Sequence, residues 1–532
     1  MSAGRDPAAG PSVAAVHAKA KSLGWESGSR GRSYPTKYRI PATAKDPFRH
    51  LLSEYYAMER AKDHQQYAVL EAMHPRIAKG PQPDLRWMEI MKALLGFAIN
   101  GEYVAMKSMA MLIDAIPNAE LRGGYLAQML DETRHVHLEK QLLRHLAKVA
   151  PDPAGYNGAL RFRAADPVLR PGRALFETFL ANDPVTCALG LQVITETAYT
   201  NPLFVATTEI AAANGDPITP SIFLSVQSDE ARHMANGYAT LAAVLSEPAN
   251  LPIVQHDLDL CFWRQHAFLD PFLSVVYDYF SSVRLRSYQE YWEEWIWQDW
   301  VGSYMDRLQP FGISRPGTAA AARANVAWAG HELAAVSAAL WPVHFWRTDP
   351  MTEADFTWFE DKYPGWWARH GAFWTAYAER SDPRQGALAL ELLGDLPLTC
   401  RVCHMPARQV AGTTLEPRVV ADASGARHAL CSEVCDEIFT AEPHRYTGRT
   451  WTEINDGVEL SEYIVREGLV RADGQTLIAQ PHLSTDAARL WTVADIRRLG
   501  VEIRDPLASY PAGKIVRARV SAAAPAPPAR VR

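Results

Sequence analysis

Several things are scarce in this chain of 532 residues. No apolar run approaches the roughly 20 residues that a membrane-spanning helix needs, so a bilayer protein is not expected. Lysine and arginine (54) are outnumbered by aspartate and glutamate (60), and the net charge of −6 lacks the basic excess of a nucleic-acid binder. Cysteine is sparse: six residues are too few for a disulfide scaffold in a chain this long. The opening Met1 to Gly10 (MSAGRDPAAG) has no charged start followed by an apolar core, unlike a secretion signal. These absences lead us to expect a cytoplasmic protein that works without membrane or nucleic acid.

What is present is a near-repeat. Asp131-Glu132-Thr133-Arg134-His135 returns as Asp229-Glu230-Ala231-Arg232-His233. At average composition such a pattern arises by chance roughly once in several hundred chains of this length, so two copies demand a cause. On a helix, Glu132 and His135 stand at i and i+3 and project from one face. One such pair is ordinarily a solvated helix face. Two pairs form the Glu-x-x-His halves of a di-metal carboxylate bundle, which also needs a lone Glu from each of two further helices.

Spacing supplies both. Glu102 lies 15 residues before the turn residue Pro117 and Glu132 lies 15 after it. Glu196 precedes Ala213, at the turn Ala213-Asn214-Gly215-Asp216-Pro217, by 17 residues, and Glu230 follows it by 17. Two antiparallel hairpins would therefore aim Glu102, Glu132, His135, Glu196, Glu230 and His233 at one point. A carboxylate left in so apolar a helix as that around Glu102 is costly unless a cation compensates it. Four carboxylates and two imidazoles suit iron or manganese better than zinc. Two ferrous ions can supply two electrons each, enough to cleave the O–O bond of dioxygen and attack an unactivated C–H bond.

Other side chains are placed by the same helices. Asp131 and Asp229 can accept the distal N–H of a ligand histidine, from the same or the facing helix. Arg134 and Arg232 can neutralise those aspartates, or simply form structural ion pairs. Thr200, one turn past Glu196, can hand on protons or bond its own backbone. Ala98, Gly101, Leu175, Phe176 and Phe179 would give a cavity small, apolar walls suited to a small hydrocarbon.

The fold class expected is mainly α: a ferritin-like di-iron four-helix bundle within a larger helical domain, plus a small mixed α/β C-terminal segment. Composition divides the chain into an extended arm (1–45), ordered only against a partner, the helical domain (46–382), a mixed region (383–510) and a disordered tail (511–532). The aromatic run 287–304 (SYQEYWEEWIWQDWVGSY) reads as core or subunit interface. In the mixed region Cys400 and Cys403 precede Cys431 and Cys435, the spelling of a structural zinc site; four reduced, buried thiols are the alternative. Cys187 and Cys261 read as core thiols.

The chain resembles the large (alpha) hydroxylase subunit of soluble di-iron bacterial multicomponent monooxygenases, in the methane and propane branch, from about Pro47 to Pro506. The resemblance is carried by Gly124 to Gln128 (GYLAQ) with DETRH, Glu196 to Pro202 (ETAYTNP), Ala211 to Asp216 (AAANGD), Asp229 to Tyr238 (DEARHMANGY), the Tyr363-Pro364-Gly365-Trp366 turn and Asp473 to His482 (DGQTLIAQPH). It implies the same six iron ligands, Thr200 as pocket threonine and Phe179 as pocket phenylalanine, with Asn201 beside them. It also implies partners: a beta and possibly a gamma subunit, a regulatory coupling protein, and an NADH-dependent iron-sulfur flavoprotein reductase, in a dimer of alpha-beta protomers acting on dioxygen and a small hydrocarbon. Two departures shift the substrate away from methane towards alkanes or alkenes of about two to four carbons. Glu139 stands where methane-type enzymes carry a pocket cysteine, and residues 398–447 resemble the YHS module of propane-type and aromatic-hydroxylating relatives. An aromatic hydroxylase, an iron-storing bundle and a radical-generating reductase subunit are the competing readings.

Overall fold

Asn118 begins the bundle's first corner. Pro117 cannot continue a helix, and the Asn118 Oδ1 accepts from the backbone N–H groups of Glu120 (3.0 Å) and Leu121 (3.1 Å), capping the next one. Helix α1 (Leu85–Ala115) therefore ends, and α2 (Ala119–Val149) returns antiparallel beside it. The computed structural model describes residues 37–39, 83, 85–149, 172, 175–176, 179–180, 183–340, 351–380, 398–403, 405–407, 418–447 and 514–515.

One face of α1 buries Trp87, Met91, Leu94, Leu95, Ile99, Met109 and Leu112, each contributing about 1.5–3 kcal/mol on leaving water. The buried face of α2 is different. Leu121, Tyr125, Gln128, Glu132, His135, Glu139, Leu142 and Leu146 alternate steps of four and three, so its middle is polar although fully packed.

The second hairpin repeats the plan. Its first arm, α3, starts as α-helix at Pro184–Ala188, passes through wide π-helical turns at Leu189–Tyr199 and Asn201–Ala206, and ends as α-helix at Thr207–Ala213. The turn uses Gly215 at φ 78°, a conformation open to glycine at no steric cost. Helix α4 (Thr219–Leu245) then runs back and packs on α2 and α3. Glycines let the two hairpins close: a Cβ on Gly124 would lie 2.4 Å from the Asn236 Oδ1, and one on Gly237 would lie 2.8 Å from the Gln192 Cβ.

Helix α5 (Leu251–Ser274) lies against α3, and α6 (Tyr288–Trp292, continued by π-helical turns at Glu293–Tyr304) covers both. The aromatic run is thus core: Tyr288, Tyr291, Trp292, Ile296 and Trp300 are buried, with Trp295 and Trp297 partly so. Later come α7 (Ala329–Leu340) and α8 (Glu353–Lys362), and α8 leads into the Tyr363–Trp366 turn, where Gly365 has φ 90°. The architecture agrees with the mainly α, ferritin-like expectation.

The mixed C-terminal part consists of strands β1 (Leu398–Thr399) and β2 (Pro406–Ala407), paired antiparallel, a second antiparallel sheet of β3 (Arg418–Ala421), β4 (Arg427–Leu430) and β5 (Lys514–Ile515) in the order β4-β3-β5, and helix α9 (Glu433–Ala441). Strand β5 is the described part of the segment from 511 onwards. Lys514-Ile515-Val516 precedes the Ala/Pro-rich stretch and carries β-branched side chains that suit an edge strand. Of the arm, Lys37 and Tyr38 lie on the helical domain, bonded to Asp183 and Asp257. The rest of the arm, most of the tail and the Asp473 to His482 motif lie outside the described residues. No described helix is long and apolar enough to cross a membrane.

Candidate metal centre

The two hairpins bring all six expected ligands together. Ligand atoms of Glu102, Glu132 and His135 lie within 4.8 Å of one another, and so do those of Glu132, Glu196 and His233. Glu132 belongs to both groups. Its Oε2 is 3.5 Å from the His135 Nδ1, and its Oε1 is 3.5 Å from the His233 Nδ1. Glu230 also spans the centre, 3.9 Å from the first imidazole and 3.0 Å from the second. Glu102 (3.5 Å from the His135 Nδ1) and Glu196 (3.6 Å from the His233 Nδ1) close the two ends. The spacing rule of 15 and 17 residues is met in space.

Each histidine presents Nδ1 to the carboxylates, and its Nε2 faces an aspartate of the other hairpin. The His135 Nε2 is 3.1 Å from Asp229, and the His233 Nε2 is 3.3 Å from Asp131. With those N–H groups donated outward, the Nδ1 atoms are the ones that can turn a lone pair to a metal, which would displace the Glu230 contact at His233. Of the two arrangements left open by the sequence, the facing-helix one is adopted. Arg232 contacts both aspartates, at 2.9 Å from Asp131 and 2.8 Å from Asp229, while Arg134 pairs with Asp229. The Asp229→Asn variant should lose about 10–100-fold in metal affinity, the usual cost of an orienting partner, as measured by iron titration.

The donor set fits a metal pair because the cluster is short of hydrogen bonds where ligands are wanted. Among the described residues, the His135 Nδ1 and the Glu196 Oε2 are buried and make none. Electrostatics agrees. Burial, reinforced by neighbouring carboxylates, pushes Glu102, Glu132 and Glu196 up to about 8. Burial alone would lower His233, but Glu230, Glu132 and Glu196 override it and raise it well above the usual imidazole range. Asp131 goes the other way: against its burial, the hydrogen bond from His233 and the nearby cations hold it below the ordinary carboxylate range. Protons occupy the metal-free cluster in place of cationic charge.

These shifts make stability depend on pH. Glutamates raised from 4.5 to about 8 stabilise the metal-free fold fully below their unfolded value, and that stability drains away as pH rises through about 8. Melting temperature of the metal-free protein should therefore fall between about pH 5 and about pH 8 and level off above that, and ferrous ion binding should release protons and tighten over the same range.

Sequence reasoning missed an amide network. Gln128, four residues before Glu132 on the same face, donates to Glu132 (3.0 Å) and Glu196 (2.7 Å). Its own oxygen accepts from Gln192 (2.7 Å) and Asn236 (3.3 Å). Position i−4 from a ligand was the available signal. Gln128 has no counterpart on α4, where Val226 occupies the equivalent place, so the two halves of the centre are not alike.

Glu139 breaks the symmetry on the other half. It follows His135 by four residues, where the repeat has Gly237 after His233. It is fully buried, neither carboxylate oxygen finds a hydrogen bond among the described residues, and burial with the charges of Glu102, Glu132 and Glu230 drives its protonation. An unsatisfied buried polar group costs about 1–3 kcal/mol. Glu139→Leu should stabilise the metal-free protein by an amount of that order in urea unfolding; a lower midpoint would mean the carboxyl has a partner.

The expected pocket residues gather at the Glu102 end. Phe176 packs against Gly101, where a Cβ would meet it at 3.1 Å, and its ring lies 6.1 Å from that of Phe179; Ala98 and Leu175 are buried too. The Thr200 hydroxyl donates to the Glu196 carbonyl, the backbone alternative. Asn201 accepts from Gln227 at 3.2 Å. Cys187 and Cys261 are buried thiols.

Far along the chain, Cys400, Cys403, Cys431 and Cys435 form a third cluster, all buried, with sulfurs within 4.8 Å of one another. The Cys403–Cys431 and Cys431–Cys435 sulfurs are 3.5 Å apart, near the ~3.8 Å edge of a tetrahedron with metal–sulfur bonds of about 2.3 Å. Burial opposes ionisation of Cys400, yet hydrogen bonds from the three other thiols hold it well below the usual thiol range. The Trp263 indole on α5 donates to the Cys435 sulfur at 3.2 Å.

Comparison with known proteins points to one family. The profile of the Methane/Phenol/Alkene Hydroxylase family matches residues 28–248. The chain is 37% identical over 501 residues to the methane monooxygenase component A alpha chain of Methylosinus trichosporium, covering 93% of this chain and 95% of that one. It is 35% identical over 512 residues to the propane 2-monooxygenase hydroxylase large subunit of Mycolicibacterium smegmatis, covering 91% and 93%. The crystal structure of xenon-pressurised phenol hydroxylase from Pseudomonas sp. OX1 superposes with a TM-score of 0.71 at 24% identity, over 81% of this chain and 88% of that one, a likeness of fold.

Proposed function

Because the chain belongs to the methane/phenol/alkene hydroxylase family, we propose that it is the large hydroxylase subunit of a di-iron monooxygenase that inserts one atom of dioxygen into alkanes or alkenes of about two to four carbons. The observation that carries this reading is Glu132, shared between two ligand groups that each end in a histidine and a further glutamate. Iron bound there supplies the electrons that reduce dioxygen and the oxidising power that takes hydrogen from an unactivated C–H bond.

The chain's own residues do the rest. Gln128 holds the carboxylates of Glu132 and Glu196 at a set separation, so neither must reorient when metal arrives. Asp131 and Asp229 keep the imidazole tautomers in the ligating form, and Arg134 and Arg232 neutralise those aspartates. Phe176, Phe179, Leu175, Ala98 and Gly101 exclude water from the space beside the metals and favour a small apolar substrate. The Thr200 hydroxyl holds a proton one turn beyond Glu196, and a change of its rotamer would turn that proton towards the centre.

Such a subunit works with partners: a beta subunit, with or without a gamma, a coupling protein, and an NADH-dependent iron-sulfur flavoprotein reductase, in a dimer of alpha-beta protomers. The four-cysteine cluster is proposed to hold structural zinc, on the strength of its sulfur spacing. The test is turnover of the assembled system on propane, propene and phenol under isotopically labelled dioxygen with NADH. Labelled propanol or propene oxide, formed faster than any product of phenol, is expected. Faster phenol hydroxylation would favour the aromatic reading, and unlabelled products would refute oxygen insertion.

A further inference from the structure

The buried aromatic run around α6 does more than fill space. Tyr199 stands three residues beyond the ligand Glu196 on α3, and its phenol donates to the Asp270 Oδ2 on α5 at 3.3 Å. The same oxygen accepts from the Trp292 indole on α6 at 2.8 Å and lies 2.6 Å from the His266 Nδ1. The other oxygen of Asp270 accepts from the Tyr288 phenol at 2.6 Å. Trp292 in turn stacks on Trp297, with ring centroids 6.2 Å apart, and Trp297 is partly exposed. Arg323 lies over the Trp297 ring, but Glu293 pairs with that guanidinium at 2.6 Å.

We propose that Tyr199, Asp270, Trp292 and Trp297 form a relay that carries electrons from the protein surface to the metal centre when its oxidised form meets no hydrocarbon. The proposal rests on the oxygen-activating function above. A buried carboxylate could be satisfied by any donors; here two phenols and an indole converge on it, and these are the side chains most readily oxidised by one electron. Each has its proton aimed at a base, which makes loss of an electron easier because the proton can leave with it. Burial keeps Tyr199 fully protonated at neutral pH, so it waits as a reductant.

The steps balance. One electron leaves the Tyr199 ring for the oxidised centre while the phenolic proton moves to Asp270, leaving a neutral phenoxyl. Trp292 gives an electron to that phenoxyl, and Asp270 returns the proton. The electron missing from Trp292 is restored through Trp297 by a one-electron donor in solvent, of the thiol or ascorbate class. The metal centre is reduced, the donor is oxidised, and no side chain changes.

The test uses the iron-loaded, assembled enzyme supplied with electrons and dioxygen but no hydrocarbon, freeze-quenched for electron paramagnetic resonance. Wild type should show an organic radical with tyrosyl and tryptophanyl character. Tyr199→Phe should remove the tyrosyl part, and Trp292→Phe should lengthen its life. Trp297→Phe, at a partly exposed site with little risk to folding, should prolong the tryptophanyl signal. All three should inactivate several-fold sooner without hydrocarbon, with oxidised Trp or Tyr mapped by mass spectrometry, yet keep wild-type iron content and hydroxylation rate at saturating hydrocarbon. A wild type that consumes dioxygen without any organic radical, or a radical unchanged in Tyr199→Phe and Trp292→Phe, would overturn the relay alone. A wild type that takes up no dioxygen would overturn the function reading and the relay with it.

Discussion

Replacing Glu132 by alanine should empty both metal positions at once. Among the described residues Glu132 alone belongs to both three-residue ligand groups, and each of its oxygens faces one of the two imidazoles at 3.5 Å, closer to even-handed than Glu230 at 3.9 and 3.0 Å. Glu102 and Glu196 belong to one group each, so alanine at either should weaken one metal more than the other. Loss of an orienting partner alone costs about 10–100-fold in affinity or activity, and loss of the shared ligand should exceed the upper end of that range for hydroxylation. Folding and binding separate cleanly in this variant. A buried glutamate pushed up to about 8 burdens the metal-free protein near neutral pH, so Glu132→Ala should melt no lower than metal-free wild type while binding no iron. Iron analysis beside a thermal melt reads both, and retained iron would argue against a shared carboxylate.

The second large effect belongs to the cysteine cluster. Zinc in a four-thiolate site contributes apparent binding free energies of about 10–16 kcal/mol near neutral pH, and in a small segment much of that is folding free energy. The two sheets here have short strands: β1 and β2 of the first are two residues each, and β3 and β4 of the second four. Sheets so small bury little. Cys431→Ser should therefore release zinc and expose the segment to proteolysis between β2 and β3. The bundle should stay folded, since its described polar contacts with the segment, Trp263 on Cys435 and Arg264 against Tyr446 at 2.5 Å among them, come from one helix, α5. Metal analysis with limited proteolysis checks this. A segment that resists protease with no zinc bound, in wild type and variant alike, would mean four packed thiols suffice.

Much of the centre was legible in the residue order because its geometry is local. A repeated Glu-x-x-His needs only the pitch of a helix, and Pro117 and Gly215 mark corners from which the level of Glu102 and Glu196 can be counted. What depends on how the hairpins cross was not legible. Asp131 and Asp229 could serve either histidine until the crossing put each opposite the other's motif. Gln128, Gln192 and Asn236 meet from three helices, and an amide has no signature of its own. The π-helical turns that carry Glu196 leave no mark in an apolar run whose period differs little over eleven residues. Asp270 lies 74 residues from Glu196, and only the folded chain brings its aromatic donors together. Strand β5 was hidden for a simpler reason: the Ala/Pro-rich composition after it coloured the whole tail.

Anomalous X-ray diffraction at the iron absorption edge, from crystals of the iron-loaded hydroxylase, addresses the central claim most directly. Two peaks flanking the Glu132 carboxylate are predicted, one beside Glu102 and the His135 Nδ1, the other beside Glu196 and the His233 Nδ1. A single peak, or iron bound only outside this cluster, would contradict it.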